Sequence, residues 1–142
     1  SLAGAISRLC TQSQCDSPEF AHWCGAMKMT PGYHRKLWEF CYVLRVLAEA
    51  GMLRPGRSGL GFGVGREPPA VMPSHGRDVL ASDMPESAAV AQGWTATDQH
   101  ASSLAALSEN GICDPALFRE RVSYRVVDMK ALPGDLGGFD FT

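Results

Sequence analysis

Apolar positions recur at helical spacing in one long stretch of the chain. Leu37, Phe40, Cys41, Leu44, Leu47 and Ala48 lie three and four apart, which gathers them on one side of an α-helix. The pattern predicts a helix over residues 33–50. It starts near Thr30-Pro31-Gly32, where a proline is tolerated in the first turn, and ends at Gly51. Arg35, Lys36, Glu39 and Glu49 are expected to face water. Val43 and Val46 widen the apolar surface, so the helix is expected to be well buried. Ahead of it, residues 1–32 show little periodicity and read as an irregular or short-helical N-terminal arm.

Beyond Gly51 the pattern changes. A turn at Arg54-Pro55-Gly56 leads into a short strand over Ser58–Phe62, and Asp78–Asp83 reads as a second strand. Between them Pro68 and Pro69 suit only the first turn of a helix, and Pro73 makes that helix short or kinked before Gly76 closes it. Residues 86–92 and 98–108 suggest two helical pieces, broken near Gly93-Trp94. Asp114 caps a further helix that runs to about Arg121. Val122–Val127 is a β-branched third strand, and Phe139-Asp140-Phe141-Thr142 begins a fourth. Strands alternating with helices imply an α/β fold with a parallel sheet and right-handed crossovers. A strand that starts in the last four residues should have a body and a following helix. The chain is therefore expected to be the front part of a longer protein.

Composition adds limits. The 142 residues allow one domain of ordinary size, and 45% hydrophobic with 20% charged residues is globular. A net charge of −2 gives no basic surface for nucleic acid or anionic lipid. No apolar run approaches the roughly 18 residues of a membrane span, and Ser1–Ile6 is too mild for a signal peptide. The five cysteines are odd in number and unevenly spaced, which reads as reduced thiols in a cytoplasmic protein, with Cys41 in the core. Cys10, Cys15 and Cys24 with His22 fit no finger spacing, so no metal is expected.

The candidate chemistry lies in Gly59-Leu60-Gly61-Phe62-Gly63-Val64-Gly65 and in Asp83. Glycines at alternate positions let the backbone turn sharply and approach a ligand, and an acid at the end of the next strand can accept from a ribose diol. Each feature has a plainer reading. The loop could be only a tight turn, Asp83 a cap before Pro85-Glu86, and Asp128 a turn residue. Gly61, Gly63 and Gly65 give G-x-G-x-G and not the nicotinamide fingerprint G-x-G-x-x-G. No lysine follows as in a nucleoside-triphosphate loop. Tyr33, His34 and Trp38 lie on the helix that precedes the loop, and a tryptophan on such a helix is more often core.

The order helix, Gly61-x-Gly63-x-Gly65, Asp83, Asp128 and Phe139-Asp140-Phe141 resembles the class I S-adenosylmethionine-dependent methyltransferases, over about residues 33–142. The resemblance implies a Rossmann-like doubly wound parallel sheet, here its front half, with an N-terminal helical arm. It implies S-adenosylmethionine as cofactor. Gly61, Phe62, Gly63 and Gly65 would lie along its methionine portion, Asp83 would take the ribose and Met84 would pack on the adenine. Asp128 would accept from the exocyclic amine, and the Met129 N–H would meet a ring nitrogen. The implied activity is methyl transfer to a small-molecule or protein acceptor, by in-line displacement at the sulfonium methyl.

One position departs from the family. The acid usually found two residues before the first glycine is here Gly59, and Glu67 is the candidate to replace it from the other side of the loop. The stretch between Asp83 and Val122 exceeds the family's minimal helix, leaving room for an extra helix over the cofactor. Such a front half is expected to be inactive alone, and to dimerise or pair with its missing C-terminal half through the exposed strand edge. The alternatives are a degenerate nucleoside-binding or interaction module without chemistry and, disfavoured by the glycine spacing, an NAD-dependent oxidoreductase.

Overall fold

A computed structural model of the chain describes residues 7–65, 78–85, 87, 107 and 111–142. The chain forms two compact units, Ser1–Leu53 and Arg54–Thr142. The first is helical and the second is built on a three-stranded parallel sheet, so helix and strand are mixed along one chain.

The first unit contains α1 (Gln12–Cys15), α2 (Pro18–Ala26) and α3 (Arg35–Glu49). The arm read as irregular or short-helical thus carries two helices. The start of α2 follows from local chemistry. The Ser17 hydroxyl accepts from the Phe20 N–H at 3.2 Å, Pro18 occupies the first turn, and Glu19 adds a negative charge at the positive end of the helix. Phe20 and Cys24 of α2, Met27 just after it, and Cys41 of α3 are fully buried. Gly51 ends α3 as expected, in the left-handed conformation with φ 69°. Its N–H donates to the Ala48 carbonyl at 3.0 Å and the Met52 N–H donates to Leu47 at 2.8 Å, the paired bonds of a Schellman cap.

Two expectations for α3 are corrected. The helix starts at Arg35 and not at Thr30-Pro31-Gly32, because the His34 N–H turns back to the Gly32 carbonyl at 3.0 Å and His34 stays extended. Val43 is exposed, while Arg45 is 2% exposed. Leu37, Trp38, Cys41, Leu44 and Arg45 follow the one-three-four spacing of a single helical face, which leaves Val43 on the opposite side. Burial of Arg45 is offset by charge. Its guanidinium Nε donates to Glu19 at 2.7 Å, and Nη2 donates to Glu49.

The second unit contains β1 (Ser58–Gly61), β2 (Asp78–Asp83), α4 (Pro115–Arg121) and β3 (Val122–Val126). The first three expected strands are present, with β1 and β3 each ending one residue earlier than the sequence pattern suggested, while the fourth is a single bridge. Asp114 caps α4 as expected, accepting from the Ala116 and Leu117 N–H groups at 2.9 and 3.2 Å. β2 lies between the other two strands, with Gly61 beside Ala81 and Asp83 beside Val126. Ala81, Phe118, Val122 and Leu107 form the buried cluster that fastens α4 to this sheet. The helical pieces expected over 86–92 and 98–108, and the short helix with Pro68 and Pro69, lie outside the described residues apart from Ser87 and Leu107.

The segment over 139–142 meets β1 in parallel through a bridge between Gly59 and Phe141. Gly59 also pairs with Val79 of β2, so Phe141 lies on the other side of β1. The order across the unit is β3, β2, β1 and then this segment. The Leu60 N–H donates to the Phe141 carbonyl at 3.0 Å, and the Asp140 N–H donates to Ser58 at 2.8 Å. The Asp140 carboxylate accepts from the Ser58 N–H at 2.8 Å and from Arg57 at 2.6 Å.

The Ser58 N–H and then the Arg57 guanidinium hold the Asp140 carboxyl below its ordinary range. A pKa lower in the folded than in the unfolded chain gives an attachment complete above the unfolded value, which weakens as pH falls through the folded one. Acid titration is expected to loosen this segment below about pH 4. The Ser58 amide resonance should move in that window, and Asp140→Asn should flatten its titration.

Candidate functional site

Parallel strands deliver their loops to one edge, and here three predicted segments meet there. Phe62–Gly65 follow Gly61 at the end of β1, Met84 follows Asp83 at the end of β2, and Val127–Met129 follow β3. The strands stay stitched beyond their regular pairing. The Ser82 hydroxyl donates to the Gly61 carbonyl at 2.7 Å, and the Val64 N–H donates back to Ser82 at 3.0 Å. The Val127 N–H donates to the Asp83 carbonyl at 2.9 Å.

Asp83 is the centre of this edge and is 3% exposed. One carboxylate oxygen accepts from the Gly65 N–H at 3.0 Å and the other from the Met84 N–H at 2.8 Å. The acid read as a ribose ligand therefore clamps the glycine loop onto the end of β2. A diol bound there would share a carboxylate that already organises the loop.

Of the four loop residues named from the sequence, Gly63 is the one whose surroundings admit a visitor. Its φ is 56°, a conformation that side-chain-bearing residues rarely adopt, and nothing described lies within 4 Å of where a Cβ would point. Gly61 is packed instead, since a Cβ there would stand 2.6 Å from the Val64 Cγ1. Gly65 is buried and donates to Asp83, while Phe62 and Met84 are partly exposed. Asp128 is exposed and accepts at 2.8 Å from the Lys130 N–H, the turn role that was its plainer reading. Met129 is 55% exposed. Glu67 lies outside the described residues.

Two contributions escaped the sequence reading, that of Tyr124 and the packing role of Phe141, which was read only as part of a fourth strand. Tyr124 of β3 packs beside the cluster that holds Ala81, and its phenol is pushed up by burial first and by the negative charge of Asp83 second. It thus stays protonated beside the acid. Strand alternation placed Tyr124 on the face of Val122, a signal that was available. The other is Phe141, whose ring lies where a side chain at position 59 would go. Gly59 is therefore a packing requirement, whatever its absent carboxylate does for binding. Trp38 is 6% exposed and stacks on Tyr42 in the first unit, with ring centroids 5.1 Å apart. No grouping of three metal-binding side chains occurs among the described residues.

Comparison with protein-family models, with curated proteins and with solved structures yields no match to this chain. The methyltransferase resemblance accordingly rests on the sequence alone.

The clamp makes a stability prediction. Asp83→Ala leaves the Gly65 and Met84 N–H groups without this acceptor, and is expected to cost about 1–3 kcal/mol. Gly61→Val should cost a comparable amount by overpacking against Val64. Urea unfolding monitored by circular dichroism measures both, and wild-type midpoints would contradict the assignment.

Proposed function

We propose that the second unit binds a nucleoside-containing cofactor at the carboxyl edge of its sheet. The activity it serves is S-adenosylmethionine-dependent methyl transfer to a small-molecule or protein acceptor, in the cytoplasm. The observation that carries this reading is the order of the strands. From β1 the chain moves outward to β2 and β3, and the segment over 139–142 returns to the opposite side of β1. That reversal is the switch point at which doubly wound sheets take ligands, and it is the basis for reading this α/β unit as Rossmann-like.

The residues fit such a cofactor unevenly. Gly63 would admit its close approach, Met84 and Met129 would offer partly exposed apolar surface, and Asp128 would offer an exposed carboxylate. Asp83 would accept from the ribose while retaining the loop. The bound cofactor would supply an electrophilic methyl group on sulfur. The work of the chain would be to hold that group in line with the acceptor.

A second reading, nucleoside binding or partner docking without chemistry, draws on the Phe141 ring over Gly59 and on the bonds that Asp83 already makes to the loop. Titration calorimetry with S-adenosylhomocysteine, adenosine and NAD separates the readings. Selective binding of S-adenosylhomocysteine supports the first. Adenosine bound equally well supports the second, and binding of NAD alone would replace both with an oxidoreductase. Gly63→Asn keeps a residue able to adopt the left-handed conformation while filling the open space. It is expected to weaken S-adenosylhomocysteine at least tenfold with an unchanged melting temperature. Wild-type affinity in that variant would leave the loop as a simple turn.

A further inference from the structure

The first unit holds a pair of thiols that the proposed cofactor site does not use. Cys24 of α2 and Cys41 of α3 are both fully buried, and their sulfur atoms lie 3.6 Å apart, in contact. Neither is engaged in a disulfide. Seventeen positions of sequence separate them, and each sits on a different helix of the same packed pair. A cysteine buried among apolar side chains is ordinary. Two of them meeting sulfur to sulfur across a helix interface is a geometry from which a bond can form by small side-chain rotations.

We propose that Cys24 and Cys41 form a redox pair, which a low-molecular-weight disulfide such as oxidised glutathione converts into a disulfide that staples α2 to α3. The exchange proceeds in two displacements. One protein thiol loses its proton and attacks a glutathione sulfur, breaking the glutathione disulfide and releasing one glutathione. The second protein thiol loses its proton and attacks the mixed disulfide at the protein sulfur, releasing the other glutathione. Two electrons pass from the protein thiols to the glutathione disulfide, and the two protons end on the two glutathione thiols.

Burial raises both thiols above the ordinary range. Burial also makes the exchange slow, because the helices must part transiently to admit the oxidant. Cys10 is exposed and Cys15 partly so, and the two are hydrogen-bonded to each other. They therefore meet the oxidant first and provide an internal comparison.

The full chain is incubated with oxidised glutathione, quenched in acid, alkylated and cut with a glutamyl endopeptidase. Cleavage at Glu19 separates Cys10 and Cys15 from Cys24, and cleavage at Glu39 separates Cys24 from Cys41. The expected product is a Cys24–Cys41 linked peptide, reversed by dithiothreitol. Its formation should raise the helical melting midpoint by about 10 °C. A Cys10→Ser, Cys15→Ser variant should keep both effects, and Cys41→Ala should lose both. Oxidation that consumes Cys10 while Cys24 and Cys41 stay free overturns the proposal, as does pairing of either with Cys10 or Cys15. A Cys24–Cys41 link that leaves the midpoint unchanged or lowers it also overturns it. The wild-type peptide map decides the matter even if Cys41→Ala fails to fold.

Discussion

A parallel strand ends with backbone amides that its neighbours no longer pair, and in the second unit one carboxylate settles two of them. Asp83 accepts from Gly65 in the loop after β1 and from Met84 in its own continuation. Each N–H would otherwise lack this partner at an edge where Gly65 and Asp83 are both buried. The clamp also fixes where the glycine loop can go. With Ser82 bound to Gly61 on one side and to Val64 on the other, the turn is drawn over the end of β2. Any ligand at this edge meets a loop whose shape the protein has already set.

The same edge shows why glycines at regular spacing do not share one purpose. Gly59 makes room for the Phe141 ring, and Gly63 sustains a left-handed turn with no described residue close to where a Cβ would point. Only the second of these reasons points toward a ligand. A motif of identical residues therefore divides, in three dimensions, into positions that pack and a position that admits. The distinction depends on a chain segment some eighty residues away, which local spacing does not report.

Much of the second unit was legible because its signals are local. β-branched residues mark β3, Asp114-Pro115 marks the start of α4, and the acid that ends β2 is where the pattern put it. The sequence also located the three segments that converge at the carboxyl edge. What stayed hidden was pairing between distant groups. Nothing near Asp83 in sequence announces that its oxygens serve the loop, and nothing near Gly59 announces an aromatic ring. In the first unit the periodicity of α3 was clear, but nothing in the pattern pointed to a buried Arg45. A charged residue at a core position becomes tolerable through its ion pairs with Glu19, on another helix, and with Glu49 on its own. The hydrophobic pattern widened the apolar surface to Val43, which is exposed.

A site organised by its own hydrogen bonds carries a tension that bears on function. Preorganisation lowers the entropic cost of binding, because the loop need not be ordered by the ligand. Yet a group that organises the loop is less available to the ligand, and Asp83 is asked for both. The two demands are compatible when the ligand adds acceptor contacts to the carboxylate and does not replace those from Gly65 and Met84. A ligand that had to displace the loop amides would lose the clamp as it gained the ribose contact. The nucleoside reading therefore requires approach from the Gly63 side, where no described residue stands near the backbone, with the packed positions at Gly59 and Gly61 left intact.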